Sequence, residues 1–196
     1  MNAGTKTSPL SARRLKDGLS CAVTLVVLIW IVELINVILN YKLNALGIVP
    51  RTFSGLPGIV LSPLLHASAA HAFFNTFPLL ILGFLVAQHS PRSFFPLSLL
   101  IALIGGAGVW LIGRHASHVG ASGLIFGYFG CILARGLYGK SIFAALLALL
   151  VLLLYGSMLW GILPLNPLNP FMSWEGHLCG LIAGVIVGRF HARRPR

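Results

Sequence analysis

Residues 120–127 read Gly-Ala-Ser-Gly-Leu-Ile-Phe-Gly and place one hydroxyl at the start of a strongly apolar stretch. A polar side chain in an apolar environment is costly unless it has a partner or a function, so Ser122 needs a reason to be there. Nucleophilic chemistry is a candidate reason, because a serine hydroxyl attacks a carbonyl carbon when a base lies within hydrogen-bond reach. The chain must then supply that base from another segment.

The composition is that of a membrane protein. Of the 196 residues, 57% are hydrophobic and 9% are charged, and the mean hydropathy is +0.92. These values exclude an ordinary soluble domain. A net charge of +11 would favour nucleic-acid binding in a soluble chain. In a membrane protein, basic residues instead flank the apolar segments, so we expect the lipid bilayer as their partner and no nucleic acid.

Turn residues separate six apolar segments of spanning length, at 19–40, 64–87, 94–112, 122–138, 141–160 and 175–191. An even number of crossings puts both termini on one side. Of the 14 Lys and Arg residues, all but Lys42, Arg51 and Arg114 fall on that side, which predicts that it is cytoplasmic. The predicted fold class is an all-α polytopic membrane protein of the inner or plasma membrane. Its predicted parts are a basic cytoplasmic tail (1–18), a six-helix domain (19–191) and a second basic cytoplasmic tail (192–196).

Most intramembrane polar side chains fall near the outer ends of the second, fourth and sixth segments. They are His66, His71 and Asn75 in the second, Ser122 in the fourth and His177 in the sixth. With a rise of about 1.5 Å per residue and a hydrocarbon core of about 30 Å, Asn75, Ser122 and His177 share a depth some 10 Å below the outer surface. A catalytic site requires such a common depth.

Glycines recur every four residues in two of these segments: Gly123 and Gly127 in the fourth, and Gly176, Gly180, Gly184 and Gly188 in the sixth. Small residues at this spacing let two helix backbones approach closely in lipid. Most such stripes serve packing alone. Here the stripes begin beside Ser122 and His177, so the same packing would bring the nucleophile to its base.

No carboxylate is placed to complete a catalytic triad. Asp17 lies on the opposite side of the membrane, and Glu175 is two residues from His177 and so points away from it on a helix. Glu33 has no assigned role. The sequence therefore predicts a dyad of Ser122 and His177.

His71 and Asn75 are one helical turn apart and share a face, from which they could donate hydrogen bonds to an oxyanion, together with the Ser122 backbone N–H. Zinc is the alternative, bound by His66, His71 and His177. The sequence has no HExxH motif, however, and a separation of five residues suits chelation from one helix face poorly. We therefore expect no metal and no other cofactor.

Water must reach a hydrolytic site, which predicts a cavity that opens to the outer side and is walled by the second, fourth, fifth and sixth segments. The proline-rich outer loop 161–173 is a candidate lid. The remaining histidines fall in or beside loops and are interpreted as interfacial polar residues: His89, His115, His118 and His191.

Three motifs follow one another along the chain: His66-x4-His71-x3-Asn75, Gly120-x-Ser122-Gly123 and Gly176-His177-x2-Gly180-x3-Gly184. Each motif is weak alone. In this order, and on one predicted side of the membrane, they resemble the rhomboid family of intramembrane serine proteases. The resemblance extends from about Leu46 to Gly188.

The resemblance implies that Ser122 is the nucleophile and His177 the general base and then acid. It also implies oxyanion or substrate binding by His71, Asn75 and Gly120. The residues expected to pack around the site are His66, Phe126, Gly123, Gly180 and Gly184. The implied partners are transmembrane protein substrates, cut in or near a membrane-spanning segment. The first outer loop departs from the family, because it lacks the Trp-Arg pair of some members and has only Arg51 nearby.

Two other functions are compatible with parts of the sequence. A catalytically inactive rhomboid-like protein would bind transmembrane helices without cleaving them, but such proteins usually lack the serine or the histidine. A small transporter would use the polar cluster as a solute path, but the sequence shows no inverted repeat.

Overall fold

The computed structural model describes residues 9–164 and 172–192, and this part of the chain forms a bundle of helices. The α-helices are α1 (Pro9–Ile38), α2 (Gly58–Leu61), α3 (Ala69–Ala87), α4 (Phe94–Ile112), α5 (Ser122–Tyr138), α6 (Ile142–Tyr155) and α7 (Trp174–Ala192). Short 3-10 helices occupy Lys42–Leu46, Phe53–Gly55, Ser62–Leu64, Pro91–Ser93 and Gly156–Ile162. The described residues form no β-strand, which confirms the all-α fold class for them.

Within residues 9–164 and 172–192, four stretches are long and apolar enough to cross a membrane: Ala12–Ile38, Ala69–Ala87, Pro91–Ile112 and Ile142–Ile162. The helix α5 is apolar but shorter. Large apolar side chains such as Leu34, Ile142 and Leu153 are more than half exposed on the outside of the bundle. Lipid accepts such a surface and water does not. The chain is therefore a helical membrane protein, while the number of six spans stays a prediction.

The helices α5 and α7 pack backbone against backbone. A Cβ atom added to Gly180 would collide with the carbonyl oxygen of Gly123, and one added to Gly184 would collide with that of Gly127. The contact is reciprocal, because a Cβ on Gly130 would lie 2.5 Å from the Leu181 carbonyl oxygen. Lipid supplies no hydrophobic drive between helices, so van der Waals contact of this closeness is what holds such a pair together.

Two further helices flank this pair. On α4, a Cβ added to Gly105 would lie 3.3 Å from the Gly180 Cα, so α4 also approaches α7 closely. The helix α6 packs on α5 through Ala148, and it buries only Ala148 and Val151. Almost all of α6 therefore faces outward.

The helix boundaries agree with the predicted segments for α4 and α5. They differ at the N-termini of α1 and α3 and at the end of α6, where Tyr155 is followed by the 3-10 helix Gly156–Ile162. The helix α1 begins at Pro9, not at residue 19, because most residues from Leu10 to Lys16 are good helix formers. The helix α3 begins at Ala69, not at residue 64, because the Ser68 side chain accepts the His71 backbone N–H at 3.1 Å and caps the helix there.

The loop between α1 and α3 is anchored on α4 and on the loop that precedes α5. The guanidinium of Arg51 donates to the carbonyl oxygens of Leu111 (3.1 Å) and Gly113 (2.8 Å) at the end of α4, where carbonyls lack partners within the helix. Ile48 exchanges two backbone hydrogen bonds with His118. These contacts fix the chain that leads into Ser122.

The glycine packing predicts the effect of a single methyl group. Gly184→Ala should lower the free energy of unfolding by about 1–3 kcal/mol, because the new Cβ meets the Gly127 carbonyl and the helices must separate. The measurement is reversible unfolding in mixed micelles, followed by circular dichroism.

Gly83→Ala in α3 is the matched control, because the nearest atom to its new Cβ lies at an ordinary contact distance of 3.4 Å. This variant should leave the unfolding free energy unchanged or raise it by up to about 1 kcal/mol. Equal effects of the two substitutions would contradict the assigned contact.

Candidate active site

A cavity of about 490 Å³ opens between the start of α3, the loop before α5 and the start of α7. The polar side chains that line it are Ser68, His71, Asn75, Arg114, Ser117, His118, Ser122, Ser173 and His177. None of its lining residues belongs to α6, so the predicted wall from the fifth segment is wrong, and loop residues 114–119 take that place. Of the predicted lid, residues 165–171 lie outside the described residues.

Ser122 is the first residue of α5. The preceding turn depends on Gly120, whose φ of +124° is strained for any other residue. The first N–H groups of a helix have no acceptor within the helix, and they carry a partial positive charge. The hydroxyl of Ser122 therefore stands beside backbone donors that suit a developing negative charge.

Three hydrogen bonds hold the backbone just before Ser122. The backbone N–H of His118 donates to the Ile48 carbonyl at 2.8 Å, and that of Gly120 donates to the Ser62 carbonyl at 2.9 Å. The Ala121 N–H donates to Nε2 of His66 at 3.3 Å. Within the described chain no acceptor is bound to the Ser122 N–H, so this donor remains for a ligand.

His177 is buried near the start of α7 and is held on two sides. Its ring stacks on Phe126 with a centroid distance of 4.3 Å and an interplanar angle of 11°. Its Nδ1 lies 3.0 Å from the Gly161 carbonyl oxygen. Because a carbonyl can only accept, Nδ1 carries the proton and Nε2 keeps its lone pair. Sequence reasoning missed Gly161, because the acceptor is a backbone atom that no side-chain pattern reveals.

Ser122 and His177 line the same cavity, and their neighbours bring α5 and α7 together. A Cβ on Gly123 would lie 3.2 Å from the carbonyl oxygen of Gly176. No direct hydrogen bond joins the two side chains among the described residues. Catalytic hydrogen bonds are often long in a resting enzyme and tighten when substrate binds.

His71 and Asn75 project from α3 toward the turn before Ser122. A Cβ on Gly120 would lie 2.7 Å from His71 Cε1 and 3.8 Å from Asn75 Nδ2. The Asn75 side chain is 9% exposed, and its Nδ2 has no hydrogen-bond partner in the described structure. Of the five buried side-chain atoms without a partner in the described structure, only this one belongs to a residue that lines the cavity, so it is placed to donate to an acceptor there.

The two buried carboxylates are bound elsewhere. Glu175 accepts the Arg114 backbone N–H at 3.1 Å and lies 3.7 Å from Arg114 Nε. Glu33 in α1 accepts the Tyr41 hydroxyl at 3.3 Å. In the described structure neither carboxylate is bound to His177, whose Nδ1 is taken by Gly161.

A second serine–histidine contact lies at the same cavity. His118 Nδ1 is 2.6 Å from Ser173 Oγ, and His118 Nε2 is 3.0 Å from the Arg114 carbonyl oxygen. Ser173 Oγ also accepts the Gly176 N–H at 3.1 Å and so caps α7. His118 is 5% exposed, so its interpretation as an interfacial residue is wrong. It ties the loop before α5 to the start of α7.

The sequence predicted that His66 lies on the same helix as His71 and Asn75, and this is wrong. His66 lies in the extended segment before α3. The Ser68 cap is the signal that could have located this boundary. The His66 ring is fully buried, and its centroid is 5.0 Å from that of His71. Burial, with a smaller effect of His71, lowers the pKa of His66 to about 3, so the ring is neutral and can accept a hydrogen bond.

Known proteins share much of this chain. A family model described as Rhomboid domain matches residues 54–194, which contain every cavity residue named above. An uncharacterized protein of Mycobacterium tuberculosis (strain ATCC 25618 / H37Rv) is 39% identical over 175 residues, covering 86% of this chain and 73% of the relative. An uncharacterized protein of Mycobacterium leprae (strain TN) is 36% identical over 193 residues, covering 94% of this chain and 76% of the relative.

The contact with Gly161 predicts the resting tautomer of His177. Solid-state nitrogen NMR of histidine-labelled protein in lipid should show a neutral His177 ring with its proton on Nδ1. A His177→Asn sample identifies the signal by its loss. A resting ring protonated on Nε2 alone would contradict the assigned hydrogen bond.

Proposed function

The chain belongs to the rhomboid family of intramembrane proteases, as its motifs predicted, and from this premise we propose that it is a serine endopeptidase acting on membrane proteins. The observation that carries the proposal is the bond from His177 Nδ1 to the Gly161 carbonyl at 3.0 Å. It leaves Nε2 as a base in the cavity that also holds Ser122.

In the proposed first step, Ser122 Oγ attacks the carbonyl carbon of the scissile peptide bond. The hydroxyl proton moves to His177 Nε2 as the carbon–oxygen bond forms. The carbon–nitrogen bond then breaks, and the imidazolium gives its proton to the leaving amine. The Gly161 carbonyl and the Phe126 ring hold the imidazole in one orientation, a role that a carboxylate fills in a triad.

The negative charge of the tetrahedral intermediate needs donors that are already in place. The Ser122 N–H at the start of α5 and the unpaired Nδ2 of Asn75 are the proposed donors, with His71 beside Gly120 as a third. Donors fixed in a site that excludes bulk water stabilise an oxyanion strongly, and removal of one typically costs about a hundredfold or more in kcat.

Water is the second substrate, since it must hydrolyse the acyl-enzyme. The large cavity meets Ser122 on one side, and a smaller cavity of about 50 Å³, lined by Ser122, His118 and Ser173, adjoins it. The smaller volume exceeds what one water molecule occupies, and the hydroxyl of Ser122 offers such a molecule a partner. Room for water beside Ser122 agrees with hydrolysis.

The proposed substrates are transmembrane segments, by analogy with the family. A peptide bond within a helix is shielded from attack, so the cleaved segment must unwind before it enters the cavity. We also propose six spans with both termini in the cytoplasm, which would open the cavity to the outer side. The distribution of basic residues supports this orientation.

The inactive rhomboid-like alternative is less well supported. A protein that only binds helices does not need a hydrogen-bond donor for an oxyanion. Asn75 Nδ2, at the cavity, is such a donor without a partner in the described structure. A protein that only binds helices also needs no fixed tautomer on His177. Both features agree with catalysis.

The test uses a matched pair of serines at one cavity. Ser122→Ala should reduce cleavage of a reconstituted transmembrane substrate by more than about a thousandfold and abolish labelling by a fluorophosphonate probe. Ser173→Ala removes the competing hydroxyl and the α7 cap, and it should still be labelled, on Ser122. Labelling and cleavage that survive Ser122→Ala and disappear in Ser173→Ala would contradict the assignment.

A further inference from the structure

We propose that His66 is a positioning residue for the oxyanion-binding turn. In this proposal His66 accepts the N–H of Ala121 and so fixes the Gly120–Ala121 peptide plane, which directly precedes the plane that carries the Ser122 N–H. The inference rests on the proposed function and adds to it a residue whose role the sequence motifs left as packing.

The first argument is the contact itself. His66 Nε2 accepts from Ala121 N at 3.3 Å, and the His66 side chain is completely buried. His66 does not line the cavity of about 490 Å³, so a substrate there would not touch it. Any influence of His66 on the reaction therefore passes through the backbone or through its neighbour His71.

The second argument is that His66 is itself held in place. Its carbonyl oxygen accepts from Asn44 Nδ2 at 3.0 Å and from Asn36 Nδ2 at 3.4 Å. Asn36 belongs to α1, is fully buried and also donates to Asn44 Oδ1 at 2.9 Å. Asn36 and Asn44 thus connect the backbone of His66 to α1. These hydrogen bonds restrict movement of the His66 backbone, while Nδ1 of its ring has no partner in the described structure.

The third argument is that the turn needs such an acceptor. Gly120 has a φ of +124° and, without a Cβ, gives the following peptide unusual freedom to rotate. The N–H and C=O of a trans peptide point in opposite directions. A rotated Gly120–Ala121 peptide would set the Gly120 carbonyl against the lone pair of His66 Nε2, which is repulsive. His66 thus favours the orientation in which Ala121 N–H points toward it.

The test compares two substitutions of one residue. His66→Gln keeps an acceptor at similar reach, whereas His66→Leu fills the space without one. His66→Leu should lower kcat by about ten- to a hundredfold and change KM by less than about threefold, because misplacement of the oxyanion donor affects the transition state. His66→Gln should retain kcat within about threefold of the wild-type value.

Hydrogen exchange gives a readout that does not depend on activity. The segment Val119–Leu124 should exchange faster in His66→Leu than in the wild type, and His66→Gln should restore most of the protection. If His66→Leu does not fold, Asn44→Ala serves instead, since it removes a support of His66, does not line the cavity and keeps the backbone carbonyl that accepts from Ser117. It should lower kcat and protection of the same segment by a smaller factor.

The positioning role would be overturned if His66→Leu showed the kcat and the hydrogen exchange of the wild type. An equal loss of kcat in His66→Leu and His66→Gln would overturn it as well. These results are distinct from failure of the proposed function. If Ser122→Ala cleaves as well as the wild type, the protease assignment fails while the exchange data still report on the turn. If cleavage needs Ser122 but not the His66 acceptor, the positioning role alone fails.

Discussion

The close contact of α5 and α7 at their glycines is the constraint on which the site depends. Gly123 and Gly127 present their carbonyl oxygens to Gly180 and Gly184 at distances that no Cβ would permit. Ser122 opens one of these helices, and His177 lies one residue after Gly176 on the other. In lipid, where helices gain little by hiding apolar surface from each other, such close contact both stabilises the pair and sets the separation of the two side chains.

A second requirement follows from placing polar groups in an apolar bundle. Most of them are satisfied in pairs, such as Glu175 with Arg114, His118 with Ser173 and the Ala121 N–H with His66. Each pair also joins two parts of the chain around the cavity. Among the buried atoms that have no partner in the described structure, Asn75 Nδ2 is the one whose residue lines the cavity. The hydrogen bonds of these pairs hold the walls of the cavity, and Ser122 and His177 line the same cavity.

The sequence was sufficient for the family, the all-α membrane fold and the spacing of the glycines, because composition and small-residue periodicity act locally. The sequence was insufficient to predict hydrogen bonds in which the partner is a backbone atom, such as the bond between His177 Nδ1 and the Gly161 carbonyl. The prediction for His66 was wrong because apolar residues precede Ser68 as well as follow it, so the apolar run does not mark the start of α3. His118 was misjudged because burial of a loop residue depends on contacts with α7, distant in sequence. Six spans and a cytoplasmic N-terminus remain predictions.

The central claim is that glycine packing brings the hydroxyl of Ser122 and the imidazole of His177 to one reacting carbonyl. An experimental structure of the protein in lipid, after reaction with a phosphonate that mimics the tetrahedral intermediate, tests it most directly. The account predicts phosphorus bonded to Ser122 Oγ, a phosphonyl oxygen facing the Ser122 N–H and Asn75, and His177 Nε2 within about 3 Å of the serine oxygen. Phosphorus on another residue, or α5 and α7 held apart with His177 turned out of the cavity, would contradict it.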